Sequence, residues 1–121
     1  MVTICKQFDF DAAHYLPHVA DGHKCKRMHG HTYRVDVMLQ GEPDERGMVT
    51  DYAEIAEAWK VIDTMLDHRV LNDVPGLENP TTEVLAPWIM AHLAAHPLIP
   101  TSALVAVRVY ESATTWCEVR R

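Results

Sequence analysis

Apolar and polar residues alternate from Val2 to Ala12. Val2, Ile4, Phe8, Phe10 and Ala12 share one face, interrupted by Lys6; Thr3, Cys5, Gln7, Asp9 and Asp11 share the other. A period of two sends successive side chains to opposite faces, so this stretch predicts a half-buried strand, with His14 at its end. Pro17 and Gly22 mark a loop, rich in His and Lys, that runs to about Arg27. A second alternating stretch, His31 to Gln40, puts Tyr33, Val35, Val37 and Leu39 on one face and stops at Gly41, Pro43 and Gly47.

The period then changes. Tyr52, Ile55, Trp59, Ile62 and Leu66 recur at helical spacing. Asp51 is a natural N-cap, and Glu54 is placed to complete a capping box. This helix should stop near Asp67-His68. A loop with Pro75, Gly76 and Pro80 leads to a second helix, about Thr82 to His96, which Pro87 should kink or delay. Two strands follow, Ala103 to Glu111 with Val105, Val107 and Val109 on one face, and about Thr115 to Arg120. The order strand, strand, helix, helix, strand, strand predicts an α+β fold: a four-stranded antiparallel sheet with both helices on one face. No repeat or linker divides residues 1–121, so a single domain is expected. Unpaired sheet edges invite pairing with further copies, so a homo-oligomer is expected too.

Composition narrows the function. In 121 residues, 48% are hydrophobic and 23% charged, an ordinary globular balance. Eleven Lys and Arg stand against seventeen Asp and Glu, which argues against an electrostatic grip on nucleic acid or an acidic membrane. No apolar run approaches the roughly 20 residues of a membrane span, and the N-terminus does not read as a signal peptide. Three cysteines do not make a disulfide framework and suit a reducing, cytoplasmic setting. The unusual count is histidine, eight residues.

Their placement carries the chemistry. In His29-Gly30-His31 the two imidazoles stand at i and i+2 and share one side of an extended chain. If the first two strands form a hairpin, His14 lies beside them. Three neutral imidazoles with an open fourth position make a catalytic zinc pattern, able to polarise a hydroxyl or carbonyl oxygen; capping or surface histidines are the plainer alternative. His92 and His96 read as surface helix residues. Cys25, within Lys24-Cys25-Lys26-Arg27, has cations around it that favour the thiolate. Asp67-His68 reads either as a tuned acid–base pair or as a helix C-terminal pair. Glu111, at a strand end, can accept two parallel hydrogen bonds from an amidine-like edge, or simply face water. Pro80-Thr81-Thr82-Glu83 reads locally as a helix start whose free N–H groups a ligand can use.

Taken in order, Phe10-Asp11-Ala12-Ala13-His14, Cys25-x-x-x-His29-Gly30-His31, Leu66-Asp67-His68-x-x-Leu71-Asn72, Asn79-Pro80-Thr81-Thr82-Glu83 and Val109-Tyr110-Glu111 resemble the motifs of the 6-pyruvoyl-tetrahydropterin synthase family along almost the whole chain. Three residues between the Cys and His-Gly-His resemble the branch that makes 6-carboxy-5,6,7,8-tetrahydropterin for queuosine and deazapurine biosynthesis. Five resemble the pyruvoyl branch. The resemblance implies the tunnelling fold, in which sheets of several subunits close a barrel and active sites form between subunits. It implies a zinc-dependent lyase acting on 7,8-dihydroneopterin triphosphate, with acetaldehyde and triphosphate released. It implies zinc ligation by His14, His29 and His31, catalysis by Cys25, Asp67 and His68, and pterin binding by Glu111 with Thr81 and Thr82. Asp11 stands where Ser or Thr is common, and Ser112 where Thr is common. Elimination of triphosphate without side-chain cleavage, and a non-catalytic zinc or pterin binder, are the alternatives.

Overall fold

The computed structural model describes residues 1–121. Strands β1 (Val2–His14) and β2 (His29–Gly41) pair antiparallel without a break, from Val2 opposite Gly41 to His14 opposite His29. Both run two residues further towards the histidines than the alternating stretches predicted. Phe10, Ala12, Tyr33, Val35, Val37 and Leu39 are buried on one face of this ribbon. Lys6 interrupts the apolar row, but its ammonium lies 5.8 Å over the Phe8 ring, so the stem stays at the core margin.

Helix α1 (Tyr52–Leu66) is capped by Asp51, whose side chain accepts from the Ala53 N–H at 2.9 Å. The return bond from the Glu54 side chain is not formed. Ile55, Ala58, Trp59, Ile62 and Leu66 are buried, while Tyr52 faces solvent. Trp59 stacks on Phe8, with centroids 4.8 Å apart, which seats α1 over β1. Helix α2 (Thr82–Ala95) continues through Pro87 and covers β4 (Leu104–Tyr110) and β5 (Trp116–Arg120) with Leu85, Ala86, Ile89, Met90 and Leu93.

The sheet corrects the four-stranded, all-antiparallel expectation. It has five strands in the order β3-β1-β2-β4-β5, because Arg69–Val70 forms a short strand, β3, parallel to β1 at Ala12 and Ala13. Two residues are too few to show alternation. What holds them is tertiary: the His68 N–H donates to the Asp11 carbonyl oxygen at 2.6 Å, and Leu71 just beyond is fully buried. A second correction concerns β4. The register shifts between Met38 and Leu39, so Leu104 is buried in place of Val105, which is only half-buried.

Both helices cover the Phe10–Tyr33 face, and the opposite face is open and charged. Arg34 lies 3.8 Å over Tyr110, Arg108 lies 3.9 Å over Trp116, and Glu118 accepts from both Arg108 and Arg120. No helix is long and apolar enough to cross a membrane.

The loop between β3 and α2 turns at Gly76, with φ of +90°. A methyl group there would meet Trp88 Cδ1 at 3.1 Å, whereas one at Gly47 (φ +81°) would meet nothing. Gly76→Ala should therefore cost about 2–3 kcal/mol and Gly47→Ala about 1 kcal/mol. Urea unfolding of both variants checks this, and equal losses would contradict the Trp88 contact.

Candidate metal centre and adjoining cleft

The β1–β2 register builds the site. His14 stands opposite His29, and Ala12 stands opposite His31, so the three imidazoles share the core-facing side at one end of the ribbon. Their ring centroids lie 4.6 to 5.0 Å apart. Glu111, one residue beyond β4, joins them: the four side chains offer ligand atoms that all lie within 4.8 Å of one another.

Two of the rings are fixed from behind. His14 Nδ1 lies 3.0 Å from the Pro80 carbonyl oxygen, and His29 Nδ1 lies 2.7 Å from that of Arg27. A carbonyl oxygen only accepts, so each Nδ1 carries the proton and each Nε2 presents a lone pair. The Tyr33 hydroxyl also meets His14 Nδ1, at 3.2 Å. The Nε2 atoms of His14, His29 and His31 are all buried with no hydrogen-bond partner. Orphaned buried acceptors are costly unless something satisfies them. Burial also pushes His14 and His31 below the ordinary imidazole range, which favours the neutral, ligating form. Clustered imidazoles, two of them held through Nδ1, with unpaired Nε2 atoms and a carboxylate beside them, suit a divalent metal ion, and this group can hold one.

His31 also lines a cleft of about 530 Å³, together with Asp11, Gly30, Thr32, His68 and Arg69. Asp67, the C-cap of α1, accepts the Asp11 N–H at 3.0 Å and meets His68 Nδ1 at 2.9 Å. His68 itself adopts a left-handed backbone, φ +56°, which turns the chain from α1 into β3. Sparse conformations of this kind cost energy and recur at functional positions.

The remaining predicted residues are less closely gathered. Cys25 sits half-buried on a 3-10 turn, Lys24–Lys26, outside the four-residue cluster. Its carbonyl oxygen accepts from the Leu16 N–H, which ties the turn to the end of β1. Lys26 is paired with Asp21 at 2.6 Å. The Thr81 hydroxyl caps α2 by accepting from Val84, and the Thr82 hydroxyl donates to Glu83. All three cysteines are free.

Sequence reasoning missed three parts of this arrangement. Tyr33 could have been found, since it lies two residues beyond His31 on the same face. The Pro80 and Arg27 carbonyls could not, because a backbone acceptor leaves no trace in residue type. Glu111 was expected as a pterin anchor, not as a neighbour of the imidazoles.

The Asp67–His68 pair makes a pH prediction. The hydrogen bond and charge of Asp67 raise His68 above the ordinary imidazole range. The stabilisation is complete below about pH 6.5 and disappears as pH rises through the raised folded value. The Asp11 N–H, and then His68, hold Asp67 below the usual carboxylate range. That share is complete above about pH 4 and is lost as pH falls through the lowered value. In an NMR titration of the imidazole ring, Asp67→Asn should lower the His68 midpoint. An unchanged midpoint would contradict the pairing.

Relatives carry a matching set of names. The family model described as 6-pyruvoyl tetrahydropterin synthase matches residues 3–121. A 6-carboxy-5,6,7,8-tetrahydropterin synthase of Synechocystis sp. is 43% identical over 99 residues, 77% of this chain and 75% of that protein. The Bacillus subtilis protein of the same name is 32% identical over 124 residues, covering 95% of this chain and 82% of its own. The solved 6-pyruvoyl tetrahydropterin synthase of Caenorhabditis elegans superposes with a TM-score of 0.89 at 28% identity, covering 99% of this chain and 95% of its own.

Proposed function

The chain belongs to the 6-pyruvoyl tetrahydropterin synthase family of lyases, and on that premise we propose that it converts 7,8-dihydroneopterin triphosphate to 6-carboxy-5,6,7,8-tetrahydropterin, acetaldehyde and triphosphate. The observation that carries the metal-dependent part is the set of three buried, unpaired Nε2 atoms beside a carboxylate. The carboxy outcome is supported by the three residues between Cys25 and His29 and by the names of the Synechocystis and Bacillus relatives. Queuosine or another deazapurine would be the end product of the sequence.

In this reading His14, His29 and His31 hold zinc. The ion, when bound, supplies Lewis-acid polarisation of the side-chain oxygens of the substrate. Glu111 accepts hydrogen bonds from the amidine edge of the pterin, and the segment around Thr81 and Thr82 borders the ring. The Thr81 hydroxyl, which accepts from the Val84 N–H, keeps its own hydrogen to donate, and the Thr82 hydroxyl, which donates to Glu83, can still accept, so hydroxyl or backbone groups can serve the ring. Cys25 and His68 move protons as the ring system is redistributed, and Asp67 orients His68. The carbon left on the ring carries one oxygen in the substrate and two in the carboxylate, so one water is consumed.

Cys25 lies outside the cluster and His68 is 79% exposed by side chain. A composite site, with Asp67 and His68 acting on Cys25 of another copy, accommodates both. The charged open face of the sheet and its edges at β3 and β5 suit a barrel closed by several copies. The full span 1–121 would act as one domain within a cytoplasmic homo-oligomer.

Product analysis tests the assignment. Zinc-loaded protein with 7,8-dihydroneopterin triphosphate should release acetaldehyde with the carboxylated pterin, seen by mass spectrometry. A pyruvoyl product without acetaldehyde would move the chain to the other branch. Cys25→Ala should keep its zinc and lose at least about a hundredfold in turnover, the usual scale for removing a proton-transfer group. Near-parent turnover in that variant would contradict the thiolate role.

A further inference from the structure

Glu111 is the one carboxylate among the clustered ligand atoms. Its backbone N–H donates to the Thr115 carbonyl oxygen at 3.1 Å, and Tyr110 before it pairs with Arg34. Since Tyr110 and Arg34 occupy the open face, Glu111 falls on the core-facing side, level with Tyr33 and in reach of His31. Its Oε1 lies 3.0 Å from His31 Nε2.

This contact differs from an ordinary ion pair in two respects. It lacks hydrogen-bond alignment, since His31 Nε2 remains without a partner. A Glu111 carboxylate oxygen and one ring nitrogen from each of the three histidines also lie within 4.8 Å of one another. Ligands at about 2.1 Å from one ion in a tetrahedron stand about 3.4 Å from each other. The 3.0 Å contact with His31 and the 4.8 Å limit on the cluster lie either side of that value, so the carboxylate oxygen is within reach of a fourth-ligand position. Charge argues the same way, because three neutral imidazoles leave a divalent ion uncompensated in a half-buried site and one carboxylate halves that excess. The Glu111 side chain is nevertheless 30% exposed, which leaves a side from which a planar ligand edge can approach.

We propose that Glu111 closes the fourth position of the His14–His29–His31 metal site when no substrate is bound, and leaves it for the amidine edge of an arriving pterin. The inference rests on the metal-dependent reading above. It makes one carboxylate the link between two events: docking of the ring withdraws Glu111, and only then is the ion open to the substrate's oxygens. Without a pterin, the site is closed to other small ligands.

Cobalt(II) in place of zinc reads this directly, with no turnover involved. The parent protein, free of substrate, should take up one cobalt per chain and show the intense visible absorption of a four-coordinate ion. Glu111→Gln should bind cobalt at least tenfold more weakly in competition with a chromophoric chelator, with altered absorption. Glu111→Asp, whose shorter carboxylate falls back from the ion, should lose affinity in the same direction and serves if the Gln variant does not fold. Neopterin should change the parent's spectrum and leave that of Glu111→Gln unchanged. Parent-like affinity and spectrum in the folded variants would overturn the proposal and leave the three-histidine site standing. A parent that binds no cobalt, or a His29→Ala variant that binds it undiminished, would overturn the metal site and the proposal together.

Discussion

The register between β1 and β2 is the constraint on which the site depends. Thirteen residues pair without a bulge, and the last pair is His14 with His29. A slip of one residue would send His29 and His31 to the opposite face from His14. The core prevents that slip, because Phe10, Ala12, Tyr33, Val35 and Val37 lie on the same side as the three imidazoles and are buried under the helices. Packing far from the site thus sets which way the histidines point. The Pro80 and Arg27 carbonyls then set the tautomers of His14 and His29. The Pro80 bond also carries the position of α2 to the imidazole cluster, since Thr81 beside it is that helix's N-cap.

On the other side of the ribbon the structure is held by polar groups and is less complete. Asp11 gathers Asp67 and His68 through its own backbone N–H and carbonyl oxygen, and so brings the end of α1 to the edge of β1. The result is a cleft lined by both His31 of the imidazole cluster and His68 of the Asp67–His68 pair. Cys25 lies on a third element, the Lys24–Lys26 turn, whose Cys25 carbonyl oxygen accepts from the Leu16 N–H just beyond β1. A site of this kind, with one rigid corner and two polar ones at the rim, suits completion by a neighbouring copy. The stacked Arg34–Tyr110 and Arg108–Trp116 pairs keep the open face charged and its side chains engaged.

Much of this was legible in the residues, and the failures have physical causes. Period-two and helical spacing found both helices and four strands, since each buries a face long enough to repeat. β3 escaped because two residues held by Asp11 and Leu71 carry no period. Val105 was placed inward by alternation, but a shift of register in β4 substituted Leu104. Tyr52 fits the helical stripe yet stands at the first residue of α1, beyond the sheet's cover. The His-Gly-His spacing announced a shared point for two rings, and the hairpin supplied the third. Glu111 reads from the sequence as a candidate pterin anchor, whereas its proximity to His31 depends on the β2–β4 pairing, which no local pattern reports.

Three imidazoles of one hairpin, with no sulfur, are proposed to hold the metal. X-ray absorption at the zinc edge of the substrate-free, zinc-loaded protein measures this directly. A first shell of nitrogen and oxygen only, at about 2.0–2.2 Å, with the outer scattering of three imidazole rings, is expected. A sulfur neighbour at about 2.3 Å, or fewer than three imidazoles, would contradict it.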